Sequence, residues 1–141
     1  MKKTLGYASE TIEDQTVSVF EFLDEEMAEE KGDWLLLLEH PYLAENDGLG
    51  GAMMAEYLSA LRCEEVMPRA IIFLHAAVGM LLEDSPYLED LCALENQGVA
   101  IYACRLSADY LQHSGHLCLG QAVSMRLISQ LIASTVRVVT L

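Results

Sequence analysis

Residues 68–104 read PRAIIFLHAAVGMLLEDSPYLEDLCALENQGVAIYAC. Two short apolar runs, at 70–74 and 99–103, bracket an amphipathic segment of helical length. Neither run alternates polar with apolar residues, so both predict strands covered on both faces, which is the pattern of a parallel sheet with a crossover helix. Ser85 followed by Pro86 marks the helix start, because the hydroxyl can cap free backbone amides and proline in the first turn forfeits no bond. Leu88, Leu91 and Leu94 then face inward, and Gly98 stands where the helix must stop.

The same rhythm extends in both directions. Upstream, Trp34–Leu38 reads as a buried strand. The loop HPYLAEND over 40–47 and a helix over 49–62 follow it, with Met53, Met54, Tyr57, Leu58 and Leu61 as the buried stripe. Downstream, a short helix is expected over 108–112, a brief strand over 117–119, a helix over 123–133 and a last strand over 136–140. Residues 1–32 form an extension expected to pack on this domain. Ile12, Thr16, Val19, Phe20, Leu23 and Met27 recur at helical spacing, yet TVSVFEF is rich in strand formers, so a helix, or a strand over 16–22 followed by a helix, both remain open.

At 141 residues the chain suits one domain. It is 52% apolar with a formal net charge of -14, so apolar and acidic positions must be segregated. Thirteen of the 22 acidic residues lie in residues 1–47, whereas residues 110–141 hold none and two arginines, Arg126 and Arg137. That segment is expected to be core or interface. An acidic chain whose eight Lys and Arg residues do not cluster repels phosphate backbones and anionic bilayers, so neither nucleic acid nor membrane is expected as a partner. Lys2 and Lys3 precede no apolar stretch of the kind a signal peptide needs, and no apolar run approaches a membrane span. Four unpaired cysteines, at 63, 92, 104 and 118, suit free thiols in the cytoplasm.

In an open parallel sheet, ligands bind at the carboxyl ends of the strands. That rule selects the loops 40–48, 75–84 and 104–109, and with them Asn46, Asp47, His75, Arg105 and Ser107 as candidate binding residues. Cys104 is the one cysteine in these loops. Arg105 follows it and a helix is expected just beyond, both of which would stabilise a thiolate, so it is the candidate nucleophile. Cys92 among leucines and Cys118 in an apolar run are expected to be buried thiols. His75 could orient Cys104 from the neighbouring strand, against the plainer reading of a hydrogen-bonded histidine at a strand end. The spacing of His113, His116 and Cys118 invites a metal reading, but zinc sites show two tight ligand pairs, and no metal or other cofactor is expected. Gly48, Gly50 and Gly51 fit neither dinucleotide nor P-loop patterns.

Residues 33–141 resemble the DsrE-like sulfur-relay superfamily, and most closely the C-terminal domain of the YedF selenium-metabolism proteins. That domain carries Phe-x-Asn-x-Gly-Val, a Ser before a leucine-rich helix, Cys-Gly-Thr-Cys before Leu-Asp-Tyr, and Gly-x-x-x-Asn-Met. The counterparts here are Phe73, His75, Ala77 and Val78; Ser85; Cys104 and Ser107 with Asp109 and Tyr110; and Gly120 with Ser124 and Met125. Leu49, Gly50, Met53, Met54, Tyr57 and Leu58 fit the pattern Leu-Gly-x-x-Leu-Met upstream.

The resemblance implies a three-layer α/β/α sandwich with a mainly parallel sheet of about five strands, assembled as an oligomer and passing persulfide sulfur through a loop cysteine. Cys104 matches that cysteine. Ser107 replaces the second cysteine, so a two-thiol cycle cannot run. Residues 1–32 contain no cysteine and so do not match the Cys-Pro-x-Pro carrier domain of YedF. The expected function is handling of sulfur or selenium on one thiol, with a protein sulfur donor or acceptor as partner and a homo-oligomer as the assembly. The alternative is a non-enzymatic binding or scaffold subunit that keeps the fold alone.

Overall fold

The computed structural model describes residues 33–141, and the expected extension over residues 1–32 lies outside them. Five strands and four α-helices follow in order: β1 (Trp34–Leu38), α1 (Gly48–Leu61), β2 (Ala70–Phe73), a 3-10 helix (His75–Leu81), α2 (Leu88–Asn96), β3 (Ala100–Cys104), α3 (Arg105–Tyr110), β4 (Gln121–Val123), α4 (Met125–Ala133) and β5 (Arg137–Thr140). All neighbouring strands run parallel, in the spatial order β4-β3-β2-β1-β5. The two fully buried runs, β1 and β2, take interior places in the sheet, as their lack of polar alternation requires.

Register sorts the side chains between two faces. Leu35 pairs with Ala70 and Val138, Leu37 with Ile72, and Ile72 with Tyr102, so these residues share a face with Cys104. They form one apolar cluster with Val123 of β4 and Ile128 of α4. The other face presents Leu36, Leu38, Ile71, Phe73, Ile101 and Ala103. Leu127, Ile128 and Leu131 place α4 on the first face, while α1 and α2, which pack on each other, put no residue into that cluster, as right-handed crossovers onto the second face require. The expected α/β/α sandwich is thus present.

Local chemistry sets the element ends. Asp47 caps α1, its Oδ1 accepting from the Gly50 amide at 2.8 Å. A Cβ on Gly50 would lie 1.8 Å from the Glu45 carbonyl oxygen, so the β1–α1 loop can fold onto the helix only over a glycine. Gly98, at φ +102, ends α2 in the left-handed region.

Several details depart from the sequence reading, among them the start of α3 at Arg105 and of α4 at Met125. Ser85 Oγ accepts from the Tyr87 amide, but residues 85–87 form a tight turn and α2 begins at Leu88. The third strand starts one residue late, because the Val99 amide closes the helix end on Leu94. The brief strand is Gln121–Val123 and not 117–119: the Cys118 amide donates to the Leu81 carbonyl, and Gly120 at φ +71 turns the chain into the sheet. Met53 lies on the open side of α1, outside the buried stripe of Gly50, Met54, Leu58 and Leu61. The elements belong to one compact unit comprising Asp33–Glu64 and Pro68–Leu141.

Candidate functional site

The carboxyl ends of β1, β2 and β3 bring the loops 40–48 and 75–84 and the start of α3 to one edge of the sheet. Cys104 ends β3 and caps α3 in extended backbone, with Val123 as its strand partner. Its side chain is 2% exposed and belongs to the apolar cluster beneath α4. Strand alternation turns it there: Tyr102 and Cys104 share a face, Ala103 the other.

His75 and Ser107 do meet. The His75 backbone amide donates to Ser107 Oγ at 2.9 Å, tying the end of β2 to α3. His75 is left-handed at φ +51, a conformation that costs a non-glycine residue about 1 kcal/mol and is tolerated where its surroundings hold it. A recess of about 450 Å3 is lined by His75, Leu106, Ser107, Tyr110 and Leu111. Leu106 is 71% and Tyr110 85% exposed. Cys104 does not line this recess, so the structure does not place the imidazole and the thiol in one pocket.

Arg105 turns aside, its guanidinium donating to the Ala122 carbonyl oxygen at 3.2 Å. Asp47 is occupied as the cap of α1, and Asn46 is exposed in the loop before it. The expected burial of Cys92 and Cys118 is overturned. Leu91 and Leu94 point α2 inward and leave Cys92 on its outer side, while Cys118 is exposed in the loop before β4.

The sequence reading weighed that loop only as a metal site. A cleft of about 800 Å3 is lined by residues of 76–87 on one side and by His113, Gly115, His116, Leu117 and Cys118 on the other, with Pro41 at its rim. The spacing of His113, His116 and Cys118 was the available signal. Among the described residues, no three His, Cys, Asp or Glu side chains converge to hold a metal ion. Tyr87, also on the cleft wall, is nearly buried and donates its hydroxyl to the Pro41 carbonyl at 2.7 Å, and burial pushes its phenol up from the usual tyrosine range. No helix among the described residues is long and apolar enough to cross a membrane.

Comparison with known protein families finds no match, and none of the curated proteins matches. Two of the solved structures that are similar show the likeness. The ychN protein from E. coli superposes with a TM-score of 0.62 at 18% identity, covering 78% of this chain and 99% of its own. MTH1491 from Methanobacterium thermoautotrophicum, a protein of unknown function, gives 0.53 at 19% identity, covering 77% of this chain and 97% of its own. These matches and the five-stranded parallel sheet show that the chain has a DsrE-like α/β fold.

Proposed function

We propose that the protein handles sulfur, or selenium in its place, through one thiol, Cys104. What supports this reading is the place of Cys104 within a DsrE-like fold: last residue of β3, cap of α3, at the sheet edge where such folds bind ligands. In the transfer, the Cys104 thiolate attacks the outer sulfur of a donor persulfide, R–S–SH. The donor's S–S bond breaks, R–S⁻ leaves, and Cys104 carries the new persulfide until a partner protein takes it. Ser107 offers no second thiol, so release requires an acceptor from outside the chain.

Burial adds a condition. A thiol 2% exposed in an apolar cluster can react only when its cover opens, so the donor is a protein whose docking opens it. The same burial favours a second reading, a non-enzymatic binding subunit, since Arg105 and Ser107 are also engaged in backbone contacts. A homo-oligomer is part of the proposal. Met125 is 53% and Ile132 39% exposed on α4, in a segment without acidic residues.

Peptide mapping by mass spectrometry after incubation with a protein persulfide donor separates the readings. A gain of about 32 Da on Cys104 ahead of the other cysteines supports sulfur carriage. Sulfur elsewhere, or none, leaves the binding subunit.

A further inference from the structure

Cys104 lies under a short run of chain, residues 121–133, which comprises β4 and α4. β4 is a three-residue strand at one edge of the sheet, paired on one side through Tyr102–Gln121, Ala103–Ala122 and Cys104–Val123. Val123 sits in the same apolar cluster as the thiol, and α4 adds Ile128, with Leu127 and Leu131 half-buried at its margin. Val123 and Ile128 are the two buried residues of the run, so little apolar surface holds it down.

The two ends of the run differ. Gly120 enters it in the left-handed region at φ +71, where a Cβ would come within 2.6 Å of the Ile101 carbonyl oxygen. Beyond α4 the chain is anchored. The Arg69 guanidinium donates to Thr135 Oγ1 at 3.1 Å, and the Arg137 amide to the Asp33 carbonyl at 3.2 Å, where β5 joins β1. Between these ends, one side-chain hydrogen bond from elsewhere among the described residues reaches the run, that of the Arg105 guanidinium to the Ala122 carbonyl oxygen at 3.2 Å. Arg105 directly follows Cys104, so this bond fastens the strand pair that shuts the thiol in.

We propose that residues 121–133 are a gate over Cys104, hinged at Gly120 and at residues 134–136, with Arg105 as its latch. Opening separates β4 from β3 and withdraws Val123 and Ile128, while β1, β2, β3 and β5 stay paired. A segment with so few buried apolar contacts opens at a lower cost than the whole fold, and the thiol emerges at the end of an intact β3. Arg105 is a positioning residue here: it sets how often the gate stands open. As regulation this inference rests on the reading of Cys104 as the sulfur carrier. The opening itself does not, and the test reads opening alone, so the two can fail separately.

The test follows iodoacetamide labelling of Cys104 in the full native chain by peptide mapping, with urea raised towards the unfolding midpoint. Gate opening exposes little surface, so the labelling rate is expected to rise with urea much less steeply than global unfolding does. Arg105→Ala should speed labelling roughly threefold, the size of an exposed charge contact, and Arg105→Lys should restore most of the wild-type rate. Gly120→Ala should speed it about tenfold, because a left-handed alanine strains the closed hinge. Arg105 remains in place in that variant, so its gain does not come from a changed charge beside the thiol. Cys63 and Cys92, exposed on α1 and α2, should label at wild-type rates throughout. A Cys104 rate that climbs with urea as steeply as global unfolding, or that neither Arg105→Ala nor Gly120→Ala changes, overturns the proposal.

Discussion

The His75 amide donates to Ser107 Oγ at 2.9 Å, so one side-chain bond fastens the end of β2 to α3. Ser107→Ala leaves that amide without its side-chain partner in a left-handed residue, and a loss of about 1 kcal/mol is expected. Ser107→Thr keeps the acceptor and should retain most of the stability. Urea denaturation of both variants gives the check, and an unchanged midpoint for Ser107→Ala would show that the bond contributes nothing.

Thiol accessibility runs opposite to the sequence reading, with Cys63, Cys92 and Cys118 exposed and Cys104 buried. Native protein treated with iodoacetamide is expected to label those three readily and Cys104 at least about tenfold more slowly, because labelling waits on local opening. In denaturant all four should react alike. Rapid native labelling of Cys104 would mean that its cover is already open in the free chain.

Tyr87 makes stability sensitive to alkali. Burial raises its phenol above the ordinary value of 10.0, so the fold binds the phenolic proton more tightly than the unfolded chain does. The resulting stabilisation is complete below that value and is lost as pH rises through the folded one. Tyr57 shifts the same way, by burial first and then by the Glu64 charge, and remains in a Tyr87→Phe variant. Between pH 9 and 11, roughly the range over which tyrosine ionises, wild-type protein should therefore lose more stability than Tyr87→Phe. Parallel curves would place the Tyr87 hydroxyl in water. At neutral pH the variant should lose about 1 kcal/mol with the bond to Pro41.

Met125 and Ile132 supply the test of assembly. Light scattering coupled to size exclusion is expected to give a multiple of the 15.6 kDa chain mass, and Met125→Glu combined with Ile132→Glu to return it to one chain. A wild-type mass of one chain would mean that α4 has no second copy against it.

The parallel sheet was legible because its cause is local. Trp34–Leu38 and Ala70–Phe73 are apolar without alternation, Gly98 stops a helix by its own backbone freedom, and Asp47 caps one by side-chain reach. The edge strand was not legible. Residues 117–119, Leu-Cys-Leu, are more apolar than 121–123, Gln-Ala-Val, and what overrides that pattern is the Leu81 carbonyl taking the Cys118 amide, a partner remote in sequence. The candidate site divides the same way. Spacing alone puts Cys104 at a strand end and sets His113, His116 and Cys118 together, but which thiol meets solvent depends on register. Pairing Cys104 with Val123 turns its side chain under α4, while moving the strand to 121–123 frees Cys118 to line the cleft. Register and exposure are set by contacts between distant segments, and no pattern of neighbours along the chain encodes them.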